Sequence, residues 1–279
     1  MDRLTTLTAG LGYNGDEVFP IGGTRTGLSD GTVTVEGLRN PKTVTSGMLG
    51  VSRVLTRRWL VGLSGTLQDE QGYLTDPYKV VSLVDSTTLD VSGQLTEKRP
   101  ETRRRASLLF SSTYHLDEDV LYVSLRGYDD DWAIRSGTAD VRLRHQLGPD
   151  SYLQPHVRYY TQTSADFYVP GLVAGQPLPA YASSDYRLGP LRTATLGMTY
   201  GFHVSGIPGQ VSLRAEYMRQ WLAFGGGEGG EDSEDEDESD DDRDRAGPVT
   251  AAAVDPGTIR TNVPVLNIGS LLIGYTVHF

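Results

Sequence analysis

The 279-residue chain contains no cysteine. Neither a disulfide framework nor a thiolate metal site can hold it together, and the absence suits a cell-envelope compartment where stray thiols would pair wrongly. Also missing is any run approaching the roughly 18 consecutive apolar residues of a membrane-spanning helix, so any membrane role falls to strands. No basic stretch is interleaved with aromatics, which removes the case for nucleic acid. Met1 is followed almost at once by strand-like sequence rather than by a secretory leader. The expectation is therefore that a leader has been removed or that the chain begins inside a longer product. Net charge is scarce too, outside one segment. Glu228 to Arg245 holds twelve acids and two bases, and so carries −10 of the net −11. The low isoelectric point describes that segment and not the body of the protein. The stretch 225–248 cannot bury enough apolar area to offset its ordering entropy. It is expected to be a disordered external loop, either a solvated spacer or a collector of cations.

What the chain has instead is glycine (33), tyrosine (15) and a strand period repeated from end to end. From Val263 to Phe279, the residues Leu271, Ile273, Tyr275, Val277 and Phe279 share one face, opposite Ser270, Leu272, Gly274, Thr276 and His278. An apolar row of about ten residues closed by a terminal aromatic suits a tilted bilayer strand, which needs about 9 to 11 residues. Gly274, Tyr275, Val277 and Phe279 also resemble the C-terminal signal by which outer-membrane barrels are handed to their assembly machinery. Nine further alternating stretches precede it, near 3–13, 44–55, 59–68, 102–116, 120–128, 133–147, 152–162, 192–204 and 211–221. Short turns at 56–58, 117–119, 148–151 and 205–209 mostly alternate with connections of about thirty residues or more. Soluble sandwiches have no reason to gather their short turns at one end, whereas outer-membrane barrels do. The predicted fold is all-β: an antiparallel up-and-down transmembrane β-barrel of about ten strands, one domain over 1–279, in the bacterial outer membrane and in contact with its lipid.

The two faces of these strands differ in charge. The outward rows are nearly uncharged, with Arg219 near a rim as the main exception and Tyr13, Trp59 and Trp221 near strand ends, where aromatic girdles belong. The opposite rows carry Arg103, Arg105, Arg126, Arg142, Arg144, Arg158 and Arg214, with Glu70, Asp140 and Glu216. A charge at the lipid midplane costs about 2 to 4 kcal/mol, so these rows are assigned to a lumen. The arginines admit two readings. They could attract and select anions, as charged rings do in pores, or they could fill a narrow interior by pairing with acids, tyrosines and carbonyls. Ten strands favour filling, since aqueous channels belong to wider barrels. Seven guanidinium groups exceed three carboxylates, so some must stay wet or meet acids from inward-folded loops such as Asp129 to Asp131.

Acids and tyrosines gather at the long-loop end: Asp76, Tyr78, Asp129, Asp130, Asp131, Asp166, Tyr168, Asp185 and Tyr186. Converging oxygens there could bind Ca²⁺ or another small ligand. They could equally cap turns and pair with Arg135, Arg158 and Arg187; no Asp-x-Asp-x-Asp-Gly loop is present. The histidines, at 115, 145, 156, 203 and 278, fall within walls or near the short-turn end. No catalytic triad or paired-histidine arrangement emerges from them, and the expectation is that the protein is not an enzyme.

Five motifs carry a family resemblance. They are Gly-Tyr-Leu-Thr-Asp-Pro-Tyr-Lys at 72–79, Tyr-Asp-Asp-Asp-Trp at 128–132, Arg-Tyr-Tyr-Thr-Gln at 158–162, Ala-Asp-Phe-Tyr at 165–168 and Ser-Ser-Asp-Tyr-Arg-Leu at 183–188. Over roughly residues 40 to 220 the chain resembles the bacterial domain-of-unknown-function family 3570. The resemblance implies an outer-membrane barrel of unestablished activity. It also implies members longer at the N-terminus, with a leader and further strands, and a link to an envelope redox partner. Two functions stay open: a scaffold or narrow conduit, and a surface barrel whose acidic mouth captures a cation or ligand.

Overall fold

The computed structural model describes residues 4–19, 24–25, 27–28, 34–35, 39–88, 90–204, 206, 208–223 and 265–277. Ten long strands form one antiparallel sheet: β1 (Thr5–Val18), β4 (Asn40–Thr56), β5 (Trp59–Gly72), β8 (Thr102–His115), β9 (Val120–Asp130), β10 (Arg135–Gly148), β11 (Ser151–Gln162), β13 (Leu191–Phe202), β14 (Gln210–Leu222) and β15 (Leu266–Thr276). Each pairs with the next of these in sequence, as an up-and-down topology requires. All ten predicted strands are present; β1, β4, β5 and β9 run two to five residues further at the long-loop end, where polar side chains hide the alternation. The acidic stretch 225–248 and Phe279 lie outside the described residues.

Register fixes which side chains share a face. Ladder partners run Leu63↔Phe110, Phe110↔Leu125, Val141↔Val157, Val157↔Leu196 and Leu213↔Ile273, so one apolar face crosses the sheet. Those side chains do not pack against a second layer: Leu11 is 95% exposed and Ile273 75%. The other face carries the charges. All seven predicted inward arginines stand on it, along with Glu70, Asp140 and Glu216. Among the described residues β1 and β15 pair with no further strand, so the sheet is open and the closed ten-stranded barrel expected from sequence is not observed. Alternation tells which face a residue takes; it is silent on whether two edges join.

Hydrophobic cores lie at the long-loop end rather than within the sheet. The connections 73–101 and 163–190, expected as loops, fold into a cap. Strand β6 (Val80–Val84) pairs with β7 (Val91–Thr96) and, in parallel, with β12 (Leu172–Val173), burying Val81, Leu95, Leu172 and Ala182. A second cluster joins Trp132, Ile134, Ala165, Phe167 and Leu188, with Trp132 and Phe167 edge to face at 5.0 Å. A single 3-10 turn, Tyr186–Leu188, is capped by the Asp185 side chain. The two-residue strands β2 (Thr24–Arg25) and β3 (Thr34–Val35) form a separate small ladder. Strands β6 and β7 have only five and six residues, and the two-residue β12 lies about 90 residues in sequence from its partner β6, so they leave too short a period to read.

Candidate functional site

Where the cap meets the charged face, the polar groups are organised by ion pairs. Glu97 is fully buried. Its Oε1 accepts the Asp76 amide at 2.8 Å and lies 2.6 Å from Arg99 Nε, while Oε2 accepts the Ser183 hydroxyl. Arg99 Nη2 donates to Asp185 Oδ2 at 2.9 Å; Arg187 donates to both oxygens of Asp185 and, at 3.4 Å, to Asp76. The result is an alternating chain of five charges tying the two long connections together. Burial pushes the Asp185 carboxyl up, but hydrogen bonds from the Arg187 side chain and backbone and the charges of Arg187 and Arg99 outweigh it, holding Asp185 at about 2. The same Asp185 raises Arg187. Burial, with the Asp185 charge, pushes the Tyr168 phenol up to about 12.

The predicted acidic mouth is thus mostly spoken for by arginine. Asp76 and Asp185 serve the charge chain, and Asp129 pairs with Arg135 at 3.0 Å on an exposed rim. The Asp131 side chain accepts the Arg104 amide. Asp130 turns onto the charged face, where its Oδ2 accepts Arg103 at 2.5 Å and the Tyr128 hydroxyl at 2.7 Å. Its Oδ1 holds the amides of Trp132 and Ile134, closing a tight connection in which Ala133 takes φ 67°. Tyr78, Asp166 and Tyr186 are exposed, and Tyr168 packs against Gly189. Arg158, expected to pair with these acids, does not: it projects below them on the sheet. Among the described residues no three carboxylate, imidazole or thiol groups are placed to hold a metal ion.

Down the charged face, most arginines find partners. Arg105 donates to Glu70 at 2.9 Å, Arg142 to Asp140 at 3.1 Å and Arg214 to Glu216 at 2.5 Å, while Arg144 stacks on the Tyr152 ring at 3.8 Å. The expected inward-folded acid is Asp130, which takes Arg103; that guanidinium also lies over the Trp132 ring at 4.1 Å. Two remain, Arg126 and Arg158. They open into a cavity of about 440 Å³ between the charged face and the cap, bounded also by Arg99, Arg103 and Arg187. A larger concavity, about 770 Å³, lies on the apolar face among Leu11, Leu49, Leu67 and Leu108, with Asp129 the one carboxylate in its lining.

Sequence reasoning missed Glu97 and Arg99, which sit in a connection with no period to flag them, and marked Ser183 only as the start of the 183–188 motif. His156 was passed over as a wall histidine. It is buried, with Nδ1 2.8 Å from Glu216 and Nε2 2.8 Å from Asp140. Its signal was its place on the inward row beside two acids.

No curated protein matches the chain. Among solved structures it is similar to OmpT, an outer membrane protein of Vibrio cholerae. For the in-vitro folded form the identity is 10% and the TM-score 0.38, with 75% of this chain and 65% of that one covered. The outer-membrane expressed form gives 10% and 0.38, with 78% and 67% covered. The chain therefore spans about two thirds of the length of these proteins. The resemblance read over residues 40–220 extends through the N-terminal strand as well: matching over residues 1–229, the chain belongs to the family described as protein of unknown function, DUF3570.

Proposed function

We propose that the chain is an integral outer-membrane β-barrel whose wall is the ten-stranded sheet and whose mouth is narrowed by the folded cap, acting as a scaffold or narrow conduit. The observation that carries this reading is the alternation itself. Across ten strands one face is apolar and exposed, with its charges confined to strand ends, while the other holds the arginines and acids. In water such an apolar face would be an aggregation surface; in a bilayer it is the lipid contact. Strands of 11 to 17 residues meet or exceed the span that a tilted crossing needs. Joining β1 to β15, directly or through further strands, would satisfy the edge amides that hydrocarbon cannot. With the short turns periplasmic, the cap faces outward. A scaffold role toward an envelope redox protein rests on the family resemblance alone. The cation-binding mouth is disfavoured, because four of the six acids proposed for it, Asp76, Asp129, Asp130 and Asp185, are engaged by arginine side chains.

The test is to express the chain with a secretory leader in a Gram-negative host and fractionate the envelope. Outer-membrane recovery and heat-modifiable gel migration are expected, with small, anion-favouring conductance in planar bilayers. Recovery as a soluble protein without a heat-modifiable form would overturn the reading.

A further inference from the structure

The pairing of the charged face leaves a remainder, and the remainder is not scattered. Of the seven inward arginines, Arg126 on β9 and Arg158 on β11 make no hydrogen bond or ion pair among the described residues; Arg158 stands in register with Asp140, whose carboxylate is taken by Arg142 and His156. Both line the same 440 Å³ cavity beneath the cap. The other guanidinium groups around it are committed: Arg99 and Arg187 to Asp185, and Arg103 to Asp130. If arginines were there only to fill the interior, two uncommitted ones facing a shared void would be a poor solution, since packing arginines normally carry an acid or a ring with them.

We propose that this cavity binds a small soluble phosphate or phosphomonoester, with Arg126 and Arg158 as its charge partners. Arg126 stands opposite Thr138 in register, and Arg158 opposite Asp140 one pleat away. Strands β9 and β11 flank β10, so they are about 10 Å apart, within the combined reach of two arginine side chains converging on one anion. Two free unit charges match a phosphate dianion, whereas a monocarboxylate would leave one unanswered. The Thr138 and Ser136 hydroxyls border the same cavity and supply neutral donors between the guanidinium groups. Ile134 and Leu188, from the cap core, form an apolar roof that lowers the local dielectric and strengthens these contacts. The volume falls within the range of small-molecule sites.

The proposal rests on the charged face being a water-filled interior, as the barrel reading has it. The experiment uses the full chain folded in detergent micelles, titrated with inorganic phosphate by calorimetry, with acetate as the monoanion control. Saturable phosphate binding is expected, much tighter than acetate. Arg126→Gln and Arg158→Gln should each weaken it about tenfold, equivalent to about 1.4 kcal/mol, and the double variant should abolish it. Arg219→Gln, on the apolar face, should bind as the parent does. Arg126→Lys and Arg158→Lys, which keep the charge and lose the planar fork, serve where the glutamine variants do not fold; they should weaken binding severalfold. Absence of saturable binding by the folded parent, or binding indifferent to both positions, would overturn the site. Bilayer insertion of the same preparation separates the two readings: insertion without binding sinks the site alone, and Arg126-dependent binding without insertion sinks the barrel alone.

Discussion

The imidazole of His156 reaches the carboxylate of Glu216 at 2.8 Å across an entire intervening strand. The strand between them is β13, and the residue in register with both is Gly197. A Cβ at that position would lie 2.8 Å from Glu216 Cγ, so the contact exists because the middle residue has no side chain. Gly197→Val should force Glu216 away from His156 and cost about 1 to 3 kcal/mol by overpacking. Urea unfolding of the detergent-folded protein, followed by tryptophan fluorescence, measures this. An unchanged midpoint would mean that the wall yields freely and the cross-strand contact is incidental.

Neighbouring positions test the membrane reading directly. Leu125 lies on the apolar face between Phe110 and Ala139, while Ser124 lies on the charged face beside Asp140. Leu125→Arg would place a guanidinium in hydrocarbon and should destabilise the protein by about 2 to 4 kcal/mol. Ser124→Arg gains an acid within reach and should be nearly neutral. Equal behaviour of the two variants in lipid vesicles would remove the distinction between lipid and lumen on which the barrel rests.

Much of this architecture was legible because a strand's period of two is a strong constraint: one misplaced residue in the β13 row would have put Leu196 among the arginines. The charge excess on the inward rows was legible as well, down to the need for an acid from 129–131, which Asp130 supplies. The cap was not. Its strands are held by Leu172 meeting Leu83 and by Glu97 meeting Ser183, contacts between segments about ninety residues apart that no local pattern announces. Nor could sequence tell a mouth of free acids from one in which Asp185 is locked between two arginines. Residue type gives the charge of a group and not its partner.

Acid should loosen the cap through Asp185. Its folded-state pKa is held at about 2, below the ordinary value of 3.8. A depressed carboxyl contributes stability that is fully present above the unfolded value and is lost as pH falls through the folded one. The window is therefore about pH 4 down to pH 2, and the contribution is at most about 2 kcal/mol at neutral pH. Pepsin cleavage within 73–101 and 163–190 should accelerate across that window. In Asp185→Asn the cleavage should already be fast at pH 4 and nearly flat below it. A parent cap equally resistant at pH 4 and pH 2 would show that this carboxylate does not govern it.

Glu97 offers the sharpest test of the cap as a constriction. Among the described residues it is the largest fully buried charged side chain, and it ties Arg99, Ser183 and the Asp76 amide at one point. Removing one partner of a buried ion pair leaves the other uncompensated, at a cost on the order of 3 to 5 kcal/mol. In Glu97→Ala that cost falls on Arg99 and, through it, on Asp185, while the ladders of the ten-stranded sheet are untouched. The wall should therefore remain heat-modifiable while the cap becomes protease-sensitive. If the cap narrows the mouth, single-channel conductance should rise in the same variant. Glu97→Gln keeps the volume and an acceptor for the Asp76 amide, and should give an intermediate effect. A Glu97→Ala protein with a cleaved cap and unchanged conductance would show that the constriction lies in the wall below, among the paired arginines themselves.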